Sequence, residues 1–356
     1  MCVRYRPDIH RPPIIAGSPR RAARPEARRG PPGRQEAAIT VAELGEFGLI
    51  AAIARLLPPD RGPLLGVGDD AAVISAPDRR VVATTDLLVE GRHFRRDWSG
   101  PHDIGVKAAA QNLADVAAMG AVPTALLVGL AAPGDLAVDW ALDLVRGLVA
   151  ECERGRAVIA GGDVTSADTI MLGITALGDL EGRPPVTRAG ARPGDLLAVA
   201  GRPGRSAAGL ALLAAGRADD DLPSELAGLI TAHRRPQPPY EAGPQAARLG
   251  ATAMIDVSDG LAQDAGHVAA ASGVSIDIDP ARLPDPGPLR AAGAALGADW
   301  LDWALTGGED HALVATFPPG TVFPAGWTVI GTAGQGSGVL VNSRPHPGIG
   351  GWNHFR

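Results

Sequence analysis

The chain of 356 residues is 46% hydrophobic with a formal charge of −6, enough apolar material for two ordinary cores and unlike a collagen or a membrane protein. Its longest apolar runs, such as 125–132, are broken by Gly, Pro or charge well short of the ~20 residues a membrane helix needs. With only Cys2 and Cys152, a disulfide framework and a cysteine-rich metal centre are excluded, and a reducing cytoplasm is the default compartment.

Residues 1–38 are Pro/Arg-rich, with nine arginines against Asp8, Glu26 and Glu36. Their only apolar patch is Ile14-Ile15, too short for a secretory core. They read as a disordered extension, or as the product of a misassigned start, with no part in the chemistry. This stretch holds +6, which leaves −12 on the remainder and argues against a nucleic-acid footprint. Helical spacing over 43–57 opens the body and stops at Pro58-Pro59. Strands are predicted at 71–74 and 80–84, a helix at 103–119, a strand at 125–130, a helix at 136–154, and strands at 157–160 and 169–177. A turn at Pro193-Gly194-Asp195 restarts the pattern. Strand 196–200 and helix 206–215 follow, then strands at 253–257, 275–278, 311–317, 327–330 and 339–341, with helices at 260–271 and 289–296. The expected organisation is the extension 1–40, an N-terminal α/β domain over 41–180 and a C-terminal α+β domain over 181–356.

Four aspartate-bearing segments stand where predicted apolar runs stop: Gly68-Asp69-Asp70, Thr84-Thr85-Asp86, Gly161-Gly162-Asp163 and Asp256-Val257-Ser258-Asp259. Carboxylates gathered at the ends of neighbouring strands make an oxygen-only cage, which suits Mg²⁺ holding nucleotide phosphates. Singly, each has a plainer explanation as an Asp turn, a strand end or a capped helix. The glycines at 161 and 162 would let a backbone approach phosphate oxygens. Ser258 would cap a helix whose N-terminus favours anions. On helix 103–119, Lys107, Gln111 and Asp115 share one face at i, i+4 and i+8, with a solvated charge stripe as the plain alternative. Gly307-Gly308-Glu309-Asp310 repeats the Gly-Gly-acid arrangement, while His93 and Trp352 are ambiguous by themselves. Lys107 is the only lysine, and its neighbours exclude a GxxxxGK[ST] loop. Metal, Arg and backbone amides would therefore have to hold any nucleotide.

Taken in order, the segments 66–72, 84–94, 112–121, 161–163, 187–195, 256–261, 307–310 and 351–355 resemble the thiamine-monophosphate kinases. That family belongs to the superfamily of aminoimidazole ribonucleotide synthetase and selenophosphate synthetase, and the resemblance spans about residues 43 to 355. It implies a two-domain aminoimidazole ribonucleotide synthetase-like fold, α/β and α+β, whose N-terminal mixed sheet pairs with that of a second subunit in a homodimer. It further implies that ATP and thiamine monophosphate meet in the cleft. The γ-phosphoryl group would pass in line to the acceptor phosphate with the help of several Mg²⁺ ions, giving thiamine diphosphate. The acceptor phosphate is already ionised near neutral pH, so no general base is expected.

By position, Asp70, Thr84, Thr85, Asp86, Asp115, Asp163, Asp256 and Asp259 correspond to metal-site residues. Gly162, Asp163, Arg188 and Ser258 correspond to ATP contacts, and His93, Glu309 and Trp352 to the acceptor side. The sequence departs from the family pattern at Val164, where Thr is usual, at His311, where Tyr is usual, and at Trp352-Asn353, where Tyr-Asp is typical. Trp352 keeps an aromatic face for a cationic ring. Two alternatives stay open at this point. One is another ATP-dependent enzyme of the superfamily, although the reactive cysteines of its selenium and maturation branches have no counterpart. The other is a non-catalytic nucleotide or divalent-cation binding module. Neither a nucleic-acid nor a membrane partner is expected.

Overall fold

The computed structural model describes residues 38–58, 66, 71–217 and 222–346. Residues 1–37 of the extension, Asp69-Asp70 and Trp352 lie outside the described residues. Thr40 opens α1 (Val41–Leu44) with a reciprocal capping box to Glu43. A break at Gly45 then separates α1 from α2 (Glu46–Ala54), so the single helix expected over 43–57 is two.

The first sheet is built from β1 (Val82–Val89), β2 (Val122–Ala132), β3 (Val158–Ser166) and β4 (Met171–Asp179), in the order β1-β4-β2-β3. Only β2 and β3 run parallel. Between the strands run α3 (Pro101–Ala118) and α4 (Val138–Gly155). Helix α3 starts with Pro at its first position, is rich in alanine, and is buried along nearly its whole length, Lys107 and Asn112 included. Its apolar residues pack beneath Leu88, Leu172, Ile174 and Ala176 of the sheet. Among the described residues no helix covers the opposite face of the sheet, where Leu87 is 56% and Met171 36% exposed.

The second sheet has seven strands: β5 (Leu196–Ala200), β6 (Ala253–Val257), β7 (Ser275–Ile278), β8 (Ala312–Phe317), β9 (Trp327–Gly334), β10 (Gly338–Val341) and β11 (Arg344–Pro345). Their order is β11-β10-β7-β9-β5-β8-β6. Its helices are α5 (Arg205–Ala214), α6 (Ser224–Arg234), α7 (Ala242–Leu249), α8 (Leu261–Ser272), α9 (Gly287–Leu296) and α10 (Trp300–Thr306). The period-2 alternation of β8 shows how the sheet is used. Ala312 and Val314 face the core under α5, α6, α8 and α10, whereas Leu313, Ala315 and Phe317 join the core of the first sheet and α3. Burying Phe317 alone contributes about 2–3 kcal/mol to that junction.

Three expectations need correction. Thr84-Thr85-Asp86 and Gly161-Gly162-Asp163 do not end strands but lie inside β1 and β3. These are the two edge strands, and β4 and β2 supply ladder partners well past the apolar runs. Polar residues are tolerated there because an edge strand on a half-covered sheet exposes them. Residues 71–74 form no strand, only a single bridge at Val73. Helices α6, α7 and α10, of 11, 8 and 7 residues, have no counterpart among the expected elements.

Candidate active site

Two groups of polar residues meet at the junction of the sheets, and both draw on α3 and on the turn 307–311. In the first, Thr84 and Asp86 share the covered face of β1 and turn toward α3. The Thr84 hydroxyl donates to Asp115 Oδ2 at 2.8 Å. Burial, and then the charges of Asp256 and Asp86, push the Asp115 carboxyl up to about 7, although the Thr84 hydrogen bond and His311 work the other way. Asp256 comes from β6 in the second sheet and lies 3.2 Å from His311 Nδ1. That contact raises the His311 imidazole despite the opposing effect of burial. One helical turn into α8, buried Asp264 accepts N–H bonds from Asp259 at 3.1 Å and Gly260 at 3.0 Å. Burial, with Asp256 and Asp259, lifts it to about 7. The carboxylates of β1, α3, β6 and the β6–α8 turn thus share one field of excess negative charge.

An all-oxygen donor set under mutual repulsion fits a hard divalent cation, which would relieve that repulsion. Among the described residues, however, no three His, Cys, Asp or Glu side chains form a ready-made metal cage.

The second group borders a cavity open to solvent and lined by Arg92, His93, Phe94, Trp98, His233 and Glu309, among others. His93 Nδ1 accepts the Val89 N–H at 3.0 Å, which puts the ring proton on Nε2. Lys107 Nζ lies 3.1 Å from Glu309 Oε1 and donates to the His93 carbonyl at 3.2 Å. Burial would raise the Glu309 carboxyl, but the Lys107 ammonium outweighs it and holds the group down to about 2. Burial, reinforced by Lys107, lowers His233 to about 3, so its ring is neutral. Glu309 and His311 both have left-handed backbones, φ +66° and +51°, each at a cost of about 1–3 kcal/mol. The turn is held by N–H bonds from Glu309 to Ser258 O and from His311 to Val257 O. Asp310 adds bonds from the Gly204 and Ser206 N–H groups. Gly308 is required here, since a Cβ would sit 2.2 Å from Ser258 O.

Not every predicted residue joins these groups. The Thr85 hydroxyl points to the uncovered face and bonds the Ile174 carbonyl at 3.0 Å. Asp163 aligns in register with Gly129, Gly173 and Leu87 across all four strands, about 14 Å from β1, and shares the uncovered face. Gly162 serves strand pairing: a Cβ there would lie 2.0 Å from Val128 O, so its bareness meets β2 and not a phosphate. Both residues border an apolar cavity walled by Ile50, Ile53, Val128 and Ile159. Ser258 does not cap α8, whose N-cap is Gly260 without a side-chain bond; Asp264 reaches back and does that work. Arg188 is exposed, and its carbonyl bonds Ser272 at the far end of α8, about 18 Å of helix from Ser258. Asp70 and Trp352 lie outside the described residues.

Four further residues of these groups, Asp264, His233, Trp98 and Lys107, are not among the site residues expected from the sequence. For Lys107 a signal existed, since the only lysine of the chain sits in an alanine-rich helix; the other three reach the sites only through packing.

Residues 68–180 match the family AIR synthase related protein, N-terminal domain, and residues 192–321 match AIR synthase related protein, C-terminal domain. The thiamine-monophosphate kinase of Mycobacterium tuberculosis is 50% identical over 318 residues, 89% of this chain and 93% of that protein. The chain belongs to the thiamine-monophosphate kinase family. Solved structures of the family agree in fold. The thiamine monophosphate kinase of Aquifex aeolicus superposes with a TM-score of 0.71 at 34% identity, covering 86% of this chain and 99% of that one. AaThiL complexed with AMPPCP and TMP gives 0.73 at 34% identity, covering 90% and 100%. The two-domain α/β and α+β fold expected from the family is the one observed. Among the described residues no helix is long and apolar enough to cross a membrane.

Proposed function

We propose that this chain transfers the γ-phosphoryl group of ATP to thiamine monophosphate, forming thiamine diphosphate in the cytoplasm. The observation that carries the proposal is an acidic group of excess charge beside a cavity in which Lys107 pairs Glu309, both at one domain junction, in a chain half identical to a thiamine-monophosphate kinase over most of its length. Asp86, Asp115 and Asp256 would hold Mg²⁺, with Asp259 beside them and Asp70 expected from the family pattern. Bound Mg²⁺ neutralises phosphate charge during in-line transfer. Thr84 orients Asp115, and His311 orients Asp256. The cavity would take the acceptor, with Glu309 and the Nε2–H of His93 as its polar contacts and Trp98 as an aromatic wall. Trp352 remains an acceptor-side proposal from the family pattern, as do Arg188, Ser258 and Gly162 on the ATP side. No side chain is assigned as general base, because the acceptor oxygen is already ionised. The test is direct: purified protein with ATP, Mg²⁺ and thiamine monophosphate should yield thiamine diphosphate and ADP, and a protein that yields neither loses this assignment.

The same proposal includes a homodimer through the uncovered face of the first sheet. Exposed Leu87 and Met171 support it, as does Asp163, which lies too far across the sheet to serve the Asp86 group of its own chain. Asp163 and Thr85 would then act at the site of a second copy. Co-expressed Asp86→Asn and Asp163→Asn chains should regain activity that neither variant has alone, and a mixture as inactive as its parts would remove the shared site.

A further inference from the structure

Lys107 is the only lysine among 33 Lys and Arg residues, and it is 3% exposed inside a helix whose buried residues are otherwise Ala, Gly and aliphatic side chains and Asn112. A buried ammonium is costly to desolvate, and a buried ion pair adds little net stability compared with an apolar replacement of similar volume. Stability alone therefore does not account for its presence, whereas its contacts do. From the first domain, one ammonium group reaches two partners, the carbonyl of His93 at 3.2 Å and the carboxylate of Glu309 at 3.1 Å in the second. The other carboxylate oxygen, Glu309 Oε2, lies 3.6 Å from His233 Nδ1, and that ring is held in turn by the Ser206 hydroxyl at 3.0 Å. Glu309 stands on a strained backbone, where a side chain keeps one geometry only if its surroundings hold it. His93, His233 and Glu309 all line the same cavity. A compact tetrahedral donor suits a carbonyl and a carboxylate set at an angle, whereas the planar fork of arginine does not.

We propose that Lys107 is a positioning residue that locks His93 and Glu309 into one acceptor-binding arrangement across the domain junction, and so governs affinity for the phosphorylated acceptor and not for ATP. The proposal rests on the acceptor assignment of this cavity given above.

The test uses the full chain with Lys107→Met, which keeps the volume and removes the charge, with Glu309→Gln, and with the double variant. Lys107→Met is expected to raise KM for thiamine monophosphate about tenfold or more, with KM for ATP within about twofold and kcat within about threefold of wild type. The double variant should show little further change beyond either single one, because both remove the same arrangement. A merely structural lysine would instead lower the melting temperature and shift both Michaelis constants together, and that result overturns the proposal. If Lys107→Met fails to fold, Glu309→Gln carries the decision: an unchanged acceptor KM in that variant overturns the proposal as well. A wild-type protein that makes no thiamine diphosphate refutes the proposed function itself. Turnover by wild type with an unaltered acceptor KM in Lys107→Met refutes only the role of the lysine.

Discussion

The acidic group and the acceptor cavity both draw on the same two elements, yet they end in opposite electrostatic states. Helix α3 contributes Asp115 to one and Lys107 to the other, two turns apart. The turn 307–311 contributes His311 to one and Glu309 to the other. In the cavity, Lys107 and Glu309 neutralise each other, and the carboxyl falls to about 2. In the acidic group, Asp115 meets further carboxylates and rises to about 7. A group that satisfies itself is ready to shape and orient. One left with surplus charge stays incomplete until a cation arrives.

The largest test breaks the acidic side. Asp86→Asn and Asp115→Asn should each lower turnover by at least about a hundredfold, the scale of one lost electrostatic stabiliser. Because Asp115 is repelled where it stands, Asp115→Asn should melt no lower than wild type. Wild-type turnover in either variant, or a steep loss of melting temperature, contradicts the surplus-charge account.

The next test concerns the balanced side through pH. His233 is neutral in the folded chain at about 3, chiefly from burial, while its unfolded value is ~6.5. The unfolded chain therefore takes up a proton as pH falls below ~6.5 that the folded chain refuses, so this contribution to stability is complete above that pH. It is lost below, at about 1.4 kcal/mol per pH unit down to the folded value. Denaturant titrations between pH 7 and 5 should show this slope in wild type and a shallower one in His233→Gln; equal slopes would mean that His233 is charged in the fold.

Trp98 sharpens the comparison within the cavity, where Arg95 already covers one ring face at 4.2 Å. Trp98→Ala should raise the acceptor KM about three- to tenfold and spare ATP. Steady-state kinetics on both substrates decide it, and a matching rise for ATP would point to general loosening. Arg188 belongs to neither group and is exposed, so Arg188→Ala should weaken ATP by only about three- to fivefold, measured by titration. A hundredfold loss would show that this arginine reaches the phosphates in a way the isolated chain does not reveal.

Much of this was legible in the chain itself. The limits of β5, β6 and β7 coincide with the strands predicted at 196–200, 253–257 and 275–278; β5 is an unbroken apolar run, and β6 and β7 are short β-branched or aliphatic runs interrupted only by Asp256 in the one and by Ser275 and Asp277 in the other. Edge strands β1 and β3 were cut short in the prediction because their half-exposed faces admit Thr, Asp and Gly, which look like turn residues when only neighbours in sequence are considered.

Sequence order and local chemistry by themselves determined the fold class, the family resemblance and the presence of carboxylates after or within apolar runs. These depend on residue type and spacing, which survive without coordinates. Which carboxylates share a field was decided only in three dimensions. Thr84 and Asp86 turn toward Asp115 while Thr85, between them, turns away, and Asp163 ends on the far edge of the sheet, because pleat and strand order set direction and distance. The Lys107–Glu309 pair also belongs to the tertiary structure. Its partners lie about two hundred residues apart in the chain, and only the packing of α3 against the second sheet brings a buried ammonium within 3.1 Å of a carboxylate that still faces the cavity.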